Sequence, residues 1–476
     1  MNRRLALAVV LLGRAICAQN ENASLTGEVT DASAAAVAHV SLRLVNNATG
    51  EVYQTISTDT GNFSFPLVKP GEYTLNAELT GFKQFQRTGI VLETGIPARA
   101  NIRLEVGVRT EKVTVVAQVP LLESETSAVG ATVANTTISD MPLVDRRATQ
   151  LAKLSGFNVQ LGTGSSTVFT IAGGRSGNGY FTMDGGNDTN IILGTNTIVM
   201  DPPLESVQEF NMSESNFSAE LGRTGGGIIQ LTTKSGTNSF YGSAYEYARN
   251  TAIATRSFFA PTIPILHYNL YGGALGGPIR KNKTFFFFNY EAIQDTTQTT
   301  SILNLPTPAE VSGNFSADSY VVRDPTTSAR LPYPGNIIPK SAMDPIGLAV
   351  AQLYPAPNLP GRPSGNSNYS APDTTTAPGW NIVSRIDHTI SSKDRMFLRI
   401  AWEDYLTTNF PVFTAADADP YAYSYLQWYF NATATWIHTI TPTALNEFRY
   451  TWITARPCSK PRETLRGWMG NWASRA

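Results

Sequence analysis

Residue types that perform catalysis or bind metals are few in this 476-residue chain, and they lie far apart. The four histidines, His39, His267, His388 and His438, show neither an HExxH motif nor another ligand-like spacing, so no zinc site is predicted. The sequence also lacks a GxSxG elbow, a glycine loop ending in Gly-Lys and the surroundings of a catalytic cysteine. It therefore predicts no catalytic residue, no metal ligand and no cofactor, and argues against an enzyme.

One acidic segment, Asp184-Gly185-Gly186-Asn187-Asp188, has residue types that bind calcium in other proteins. It lacks the alternating ligands and the distal glutamate of an EF-hand loop. Two glycines flanked by Asp and Asn are typical of a tight hairpin turn, and a turn is the prediction here.

The N-terminus has the pattern of a cleavable secretion signal, which we predict over residues 1–18. A basic start is followed by the apolar run Leu5 to Leu12 and by Ala18, a small residue suited to cleavage. The run is shorter than the roughly 18–20 residues that a membrane-spanning helix needs. Since no later stretch is long and apolar enough for such a helix, a membrane role would have to use strands.

Charge and cysteine content narrow the possible partners. With 36 Lys and Arg against 37 Asp and Glu, the chain lacks the basic excess expected of a nucleic-acid binder. Cys17 would leave with the signal and Cys458 stands alone, so no intrachain disulfide is expected in the mature chain.

Residues 22–106 read as a small antiparallel sandwich. Apolar residues alternate with polar ones at 40–44, 63–65, 73–77 and 102–106, and turn signals lie between these segments. The elements Asp59-Thr60-Gly61-Asn62-Phe63, Pro70-Gly71-Glu72-Tyr73-Thr74-Leu75 and Gly81-Phe82 resemble a carboxypeptidase regulatory-like domain. About seven short strands in this length are typical of an immunoglobulin-like or transthyretin-like sandwich. The resemblance implies an accessory module for folding or binding, and it implies sugar binding only weakly.

Long alternating strands follow residue 239 and come in antiparallel pairs with short turns. The predicted pairs are 266–279 with 284–297, 380–390 with 395–405, and 423–439 with 444–455. One face of each strand is apolar with aromatic ends and the other is polar over ten or more residues, which is typical of transmembrane barrel strands. Long loops at 251–265, 298–379 and 406–422 separate the pairs, and the proline-rich second loop is expected to be extended and mobile.

The middle segment, residues 126–236, resembles the plug domain of TonB-dependent outer-membrane receptors of the Oar-like type. The resemblance rests on Ile171-Ala172-Gly173-Gly174-Arg175-Ser176, on Tyr180 to Asp188, on Pro203 to Phe210 and on Gly225 to Gly236. The order of sandwich, short strand, plug and barrel over residues 25–455 belongs to the same pattern. The expected fold is mainly β: a sandwich, an α+β plug domain and a partial antiparallel transmembrane β-barrel over 239–455.

The resemblance also implies two functional segments. The linker, 107–125, would carry a TonB box at Glu111, Lys112, Val113, Thr114, Val115, Val116 and Ala117, which would add as a strand to a partner's sheet. The alternative is that this segment is the last sandwich strand. Polar plug residues would contact an external ligand or, alternatively, the barrel itself; they are Arg175, Ser176, Asn178, Tyr180, Asp184, Asn187 and Asp188.

The barrel is expected to be incomplete. About seven strands follow the plug, whereas the family's barrel has 22, and residues 456–476 abandon the alternation. We therefore expect a truncated product.

The function expected from sequence is that of an exported outer-membrane receptor or transporter. Its partners would be membrane lipid, a TonB-like periplasmic energiser and an unknown external ligand, with carbohydrate as one candidate class. The N-terminal domain would lie in the periplasm. The alternative is a carbohydrate-binding or adhesion protein without transport.

Overall fold

The computed structural model describes most of the chain from residue 22 to residue 460. The described residues are 22–107, 112–116, 129–134, 137–138, 141, 143–154, 159–161, 169–171, 173–175, 177–192, 195–215, 217, 221–222, 224–256, 263–359, 367–413, 422–441 and 444–460. The predicted signal at 1–18 lies outside them, as do Glu111, Ala117 and Ser176.

The first unit, called the sandwich below (residues 22–116), packs two sheets face to face. One sheet has the order β4-β1-β7 with β8 also on β1, and the other has the order β3-β2-β5-β6-β9. Alternate side chains of β1 are buried, as period-two patterning requires, and Leu25, Leu42 and Leu75 lie in the shared core. The strands are β1 Ala23–Thr30, β2 Ser41–Asn46, β3 Val52–Ile56, β4 Asn62–Val68, β5 Gly71–Glu78, β6 Gln84–Leu92, β7 Pro97–Arg99, β8 Ile102–Arg103 and β9 Lys112–Val116.

Strand β9 is not isolated, contrary to the prediction of a linker with one free strand. Its backbone pairs in parallel with β6, from Gln84 beside Lys112 to Thr88 beside Val116. The segment is therefore the edge strand of the sandwich sheet, which is the alternative that the sequence left open.

The second unit, called the middle unit (residues 129–236), is built on one five-stranded sheet with the order β10-β17-β18-β13-β14. Every residue of β18 is buried, and Phe181, Phe210 and Leu231 share the core of the unit. Two small hairpins, β11 with β12 and β15 with β16, and 3₁₀ turns at Ala148–Leu154 and Leu204–Ser206 complete it. The strands are β10 Val129–Ala134, β11 Val159–Leu161, β12 Phe169–Ile171, β13 Tyr180–Met183, β14 Gly186–Asn187, β15 Thr189–Ile192, β16 Thr195–Ile198, β17 Val207–Ser215 and β18 Ile228–Thr233.

The third unit, called the barrel sheet (residues 241–460), has eight strands in a single antiparallel sheet. The three predicted strand pairs are confirmed by the observed registers of β20 with β21, β23 with β24 and β25 with β26. The strands are β19 Tyr241–Asn250, β20 Leu266–Arg280, β21 Thr284–Leu303, β22 Tyr369–Thr376, β23 Gly379–Thr389, β24 Asp394–Asn409, β25 Ser424–Thr441 and β26 Ala444–Lys460.

Three expectations about this unit were wrong. Within the described residues the sheet has eight strands rather than about seven, because β22 forms inside the predicted 298–379 loop and pairs with β21. β26 continues to Lys460, so the strand does not end at 455. The long loop is also folded in its described part: it carries helices α1 (Pro308–Val311) and α2 (Pro345–Ala351), and Leu305 packs with Val412 and Phe413.

The two faces of the barrel sheet differ in polarity and in burial. Its outer side chains are apolar and exposed, as for Phe448, Tyr450 and Trp452, whereas polar inner side chains such as Arg399 and Asn431 are buried against the middle unit. The inner face buries charge because it meets a polar partner rather than lipid. No helix in the described part of the chain is long and apolar enough to cross a membrane.

Candidate functional site

The predicted turn at residues 184–188 is confirmed as the tip of a two-residue hairpin. β13 and β14 pair through Met183 and Gly186, so Asp184 and Gly185 form the loop, with φ of 50° and 70°. Asp-Gly is the sequence that this left-handed turn favours, because glycine takes positive φ without steric cost. The hairpin carries the Asp184 carboxylate to the inner face of the barrel sheet.

Asp184 is the centre of a buried charged cluster. Its carboxylate meets Arg385 Nη1 at 2.7 Å and Arg399 Nε at 3.2 Å, and it accepts hydrogen bonds from the amide and hydroxyl of Thr233 at 3.0 and 2.7 Å. Both arginines belong to neighbouring barrel strands, β23 and β24. A buried carboxylate with two cationic and two neutral donors is fully compensated, as burial of charge requires.

Arg399 is fully buried, and its guanidinium donates hydrogen bonds to both the middle unit and the barrel sheet. Besides Asp184 it donates to the Met183 carbonyl of the middle unit, and to Asn431 and Thr433 of β25, at 2.8 to 2.9 Å. The guanidinium thus joins the hairpin to two barrel strands.

Asp188 forms a second polar contact with the barrel sheet. Its Oδ1 accepts from Asn431 Nδ2 at 2.8 Å, and burial raises the pKa of Asp188 to about 8. Arg449 of β26 donates to the Gly185 carbonyl at 2.8 Å and closes the far side of the turn.

The structure describes six of the seven middle-unit candidates, and these fall into two groups. Asp184 and Asp188 contact the barrel sheet, and Tyr180 is buried at the start of β13. Arg175 is exposed, Asn178 and Asn187 are half-buried, and Ser176 lies outside the described residues.

Sequence reasoning missed a second cluster that holds the middle unit. Arg146 pairs with Glu205 at 2.8 Å and lies over the Tyr247 ring of β19 at 3.8 Å. Asn381 of β23 donates to the Asp201 carbonyl and to Glu403. The consecutive Arg146-Arg147 pair was the available signal, but its acidic and aromatic partners are distant in sequence.

The contacts of the sandwich with the barrel sheet were also missed. Lys69 Nζ lies 3.1 Å from Asp387 of β23, and Glu51 lies 2.7 Å from Arg395 Nε of β24. Both barrel residues are near the short turn between these strands, so the sandwich covers the short-turn end of the sheet.

Among the described residues, no group of three or more His, Cys, Asp or Glu side chains could hold a metal ion. In the clusters described above, ion pairs and hydrogen bonds connect side chains of different units. These contacts hold the units together.

Two family descriptions match the chain on either side of the middle unit. The carboxypeptidase regulatory-like domain matches residues 24–105, and the outer membrane beta barrel domain matches residues 232–466. The TonB-dependent transporter Oar of Myxococcus xanthus is 29% identical over 316 residues, which are 62% of this chain and 29% of the relative. In these two domains the chain is similar to the Oar-type TonB-dependent receptors.

The barrel-domain match supports an outer-membrane location, and the strand-rich structure confirms the predicted, mainly β fold class. The chain spans less than a third of the length of the transporter that it matches. The named relatives are transporters and receptors rather than enzymes.

Solved structures similar to this chain include two receptors and a transporter. The ferric enterobactin receptor PfeA of Pseudomonas aeruginosa is 10% identical, with a TM-score of 0.41 over 69% of this chain and 41% of the receptor. The siderophore receptor PirA of Acinetobacter baumannii is 11% identical, with a TM-score of 0.41 over 69% of this chain and 40% of the receptor. The outer membrane transporter YddB of Escherichia coli is 9% identical, with a TM-score of 0.42 over 68% and 38%.

Proposed function

We propose that this chain acts in a TonB-dependent outer-membrane receptor whose middle unit is the plug. An external ligand would be bound at the long-loop end and admitted when a periplasmic partner pulls from the short-turn end. The observation that carries the proposal is the seating of the Asp184 hairpin on Arg385 and Arg399 of the inner barrel face.

The polar character of this contact suits a plug that must move. Separating apolar surfaces in water costs about 25 cal/mol per Å², whereas separated polar groups regain hydrogen bonds with water. Asp184, Asp188 and Arg399 meet across the boundary mainly through hydrogen bonds and ion pairs. Such an interface holds firmly when dry and loosens when water enters.

The ligand-facing residues of the plug are proposed to be Arg175 and Asn178. They precede Tyr180, at the opposite end of β13 from the Asp184 turn, which lies near the short-turn end of β23. Asp184 and Asp188 are proposed to hold the plug, because both are buried against the barrel sheet. The ligand itself is left open, with carbohydrate as one class.

Strand β9 is proposed as the segment that the periplasmic partner grips. It is the last strand in its sheet and Thr114 on it is exposed, so its outer edge can receive another strand by β-augmentation.

The test of coupling uses a cysteine at Thr114 and the purified periplasmic domain of a TonB protein carrying a cysteine on its partner strand. Disulfide cross-linking to the chain in outer-membrane preparations is expected. Changing Val113 and Val115 to Pro removes two backbone donors and should abolish the cross-link, whereas the matched Val→Ala double variant should keep it. Equal cross-linking of the Pro and Ala variants would contradict the proposal.

The alternative of a carbohydrate-binding adhesin without transport is not favoured. Part of the sandwich surface faces the barrel sheet rather than solvent, through Lys69 and Arg395. The same Pro variants distinguish the two, since an adhesin would be indifferent to them.

A further inference from the structure

The sandwich is tied to the barrel sheet by buried charges rather than by its chain linker alone. Lys69 lies between Glu51 at 3.4 Å and Asp387 at 3.1 Å, and the Glu51 and Asp387 side chains are 4% and 1% exposed. Arg395 Nη2 donates to the Val52 carbonyl at 3.2 Å, and its guanidinium lies 4.0 Å from the centre of the Tyr53 ring.

These charges continue into the contact that seats the middle unit. Asp387 pairs with Arg385 Nε at 2.9 Å, and Arg385 pairs with Asp184 at 2.7 Å. Signs alternate along the row from Glu51 through Lys69, Asp387 and Arg385 to Asp184. The sandwich, the barrel sheet and the middle unit therefore share one row of alternating charges, in which Lys69 is half-buried and the other four are buried. Each charge in the row stabilises its neighbours.

A separate contact joins the sandwich directly to the middle unit. The amide of Thr94 donates to Glu209 at 2.8 Å, its carbonyl accepts from Asn211 at 3.3 Å, and its hydroxyl lies 3.0 Å from that of Thr232. Thr94 is fully buried, so withdrawal of the sandwich would open this surface of β17 and β18 to water.

We propose that the sandwich is a lock on the middle unit, which must leave the short-turn end before the middle unit can move. While it is docked, Lys69 neutralises Asp387 and keeps water from the Arg385–Asp184 pair. When it leaves, water screens that pair and Glu209 and Asn211 lose Thr94.

A pull on β9 by the periplasmic partner would release the sandwich, and this step rests on the proposed function. β9 is the last strand of the sandwich in sequence, directly before the middle unit, and it is hydrogen-bonded to β6. A pull on β9 is therefore transmitted to the sandwich sheet as well as to the middle unit, and the sandwich would undock first.

The lock is tested by backbone hydrogen exchange on the full chain in outer-membrane preparations. Lys69→Met removes the charge and keeps a side chain of similar length. Amides of β13, β17 and β18 are expected to exchange about tenfold faster in this variant. The matched control is Lys83→Met, which removes a lysine that pairs with Glu105 within the sandwich at 3.4 Å and should leave those amides unchanged.

A reversible cross-link makes the test independent of how well one variant folds. Cysteines at Thr94 and Thr232 would bond the sandwich to β18, and in the Lys69→Met background oxidation should restore slow exchange and reduction should reverse it. Glu51→Gln, which keeps the side-chain shape, should repeat the effect of Lys69→Met more weakly. Unchanged exchange of the middle unit in both charge variants would overturn the lock. Failure of cross-linking at β9 would overturn the proposed function and leave the lock standing.

Discussion

At the scale of single residues, buried charges hold the middle unit against the barrel sheet. Asp184 and Arg399 are both buried, and each has partners on the middle unit and on the barrel sheet. Truncating one member of such a cluster leaves the others charged and unpaired, which typically costs about 3–5 kcal/mol. These residues therefore fix the position of the middle unit, and their removal is expected to disturb its seating.

Glu209 gives a prediction about pH. Burial raises the pKa of Glu209 to about 7, although hydrogen bonds from Thr94 oppose the rise. Because the folded pKa lies above the unfolded one, Glu209 favours the folded state at low pH, and that contribution is lost as the pH rises towards 7 and above. We expect wild-type stability to fall between about pH 4.5 and pH 8 by up to about 3 kcal/mol from this group.

Glu209→Gln should flatten that part of the profile while keeping an acceptor for Thr94. Urea unfolding of the chain in detergent micelles, followed by tryptophan fluorescence at several pH values, measures the difference. Parallel profiles for the two proteins would show that Glu209 is not the titrating group.

At the scale of elements, the β13–β14 hairpin fits against the barrel sheet because Gly185, the second residue of its turn, has no side chain. Gly185 has φ of +70°, and a Cβ at this position would collide with the Arg449 guanidinium, which donates to the Gly185 carbonyl. Gly173 has almost the same conformation, φ +74°, but open space around it. Substitutions at the two positions therefore share the backbone strain, and only a substitution at Gly185 adds a steric clash.

Gly185→Ala is expected to destabilise the middle unit by about 1–2 kcal/mol more than Gly173→Ala, because only the first also displaces Arg449. Both changes carry the same left-handed strain of about 1 kcal/mol. Urea unfolding of the two variants against wild type measures this, and equal losses would mean that Arg449 moves aside without cost.

At the scale of the whole molecule, the barrel sheet turns apolar side chains outward and polar ones towards the middle unit. Phe448, Tyr450 and Trp452 alternate along β26 and are each more than half exposed. Between them Arg449 and Thr451 face inward to the Gly185–Gly186 turn. An outward apolar face of this kind is expected to contact lipid.

Brominated lipids test this orientation. Quenching of Trp452 fluorescence is expected in a variant that keeps Trp452 as its single tryptophan, in vesicles whose lipids carry bromine on the acyl chains. Trp452→Arg should lower stability by about 2–4 kcal/mol if the residue lies near the middle of the bilayer. A Trp452 that brominated lipids leave unquenched would contradict a lipid-facing β26.

The sequence by itself determined the strands, because alternation of apolar and polar residues is local and has period two. It located three barrel pairs, the sandwich and the Asp-Gly turn, whose glycine and short polar residues act within a few positions. It left the pairing of β9 open and missed β22 and the end of β26, since whether an extended segment joins a sheet depends on a neighbour distant in sequence.

Only the tertiary structure decided which charges meet. Lys69, Asp184, Arg385 and Asp387 come from three units separated by up to 318 residues, and no local pattern links them. Nothing in the spacing of the polar residues at 175–188 showed that Asp184 and Asp188 would be buried against the barrel sheet while Arg175 stays exposed. Burial depends on how the units close over one another, and burial gives each of these charges its effect.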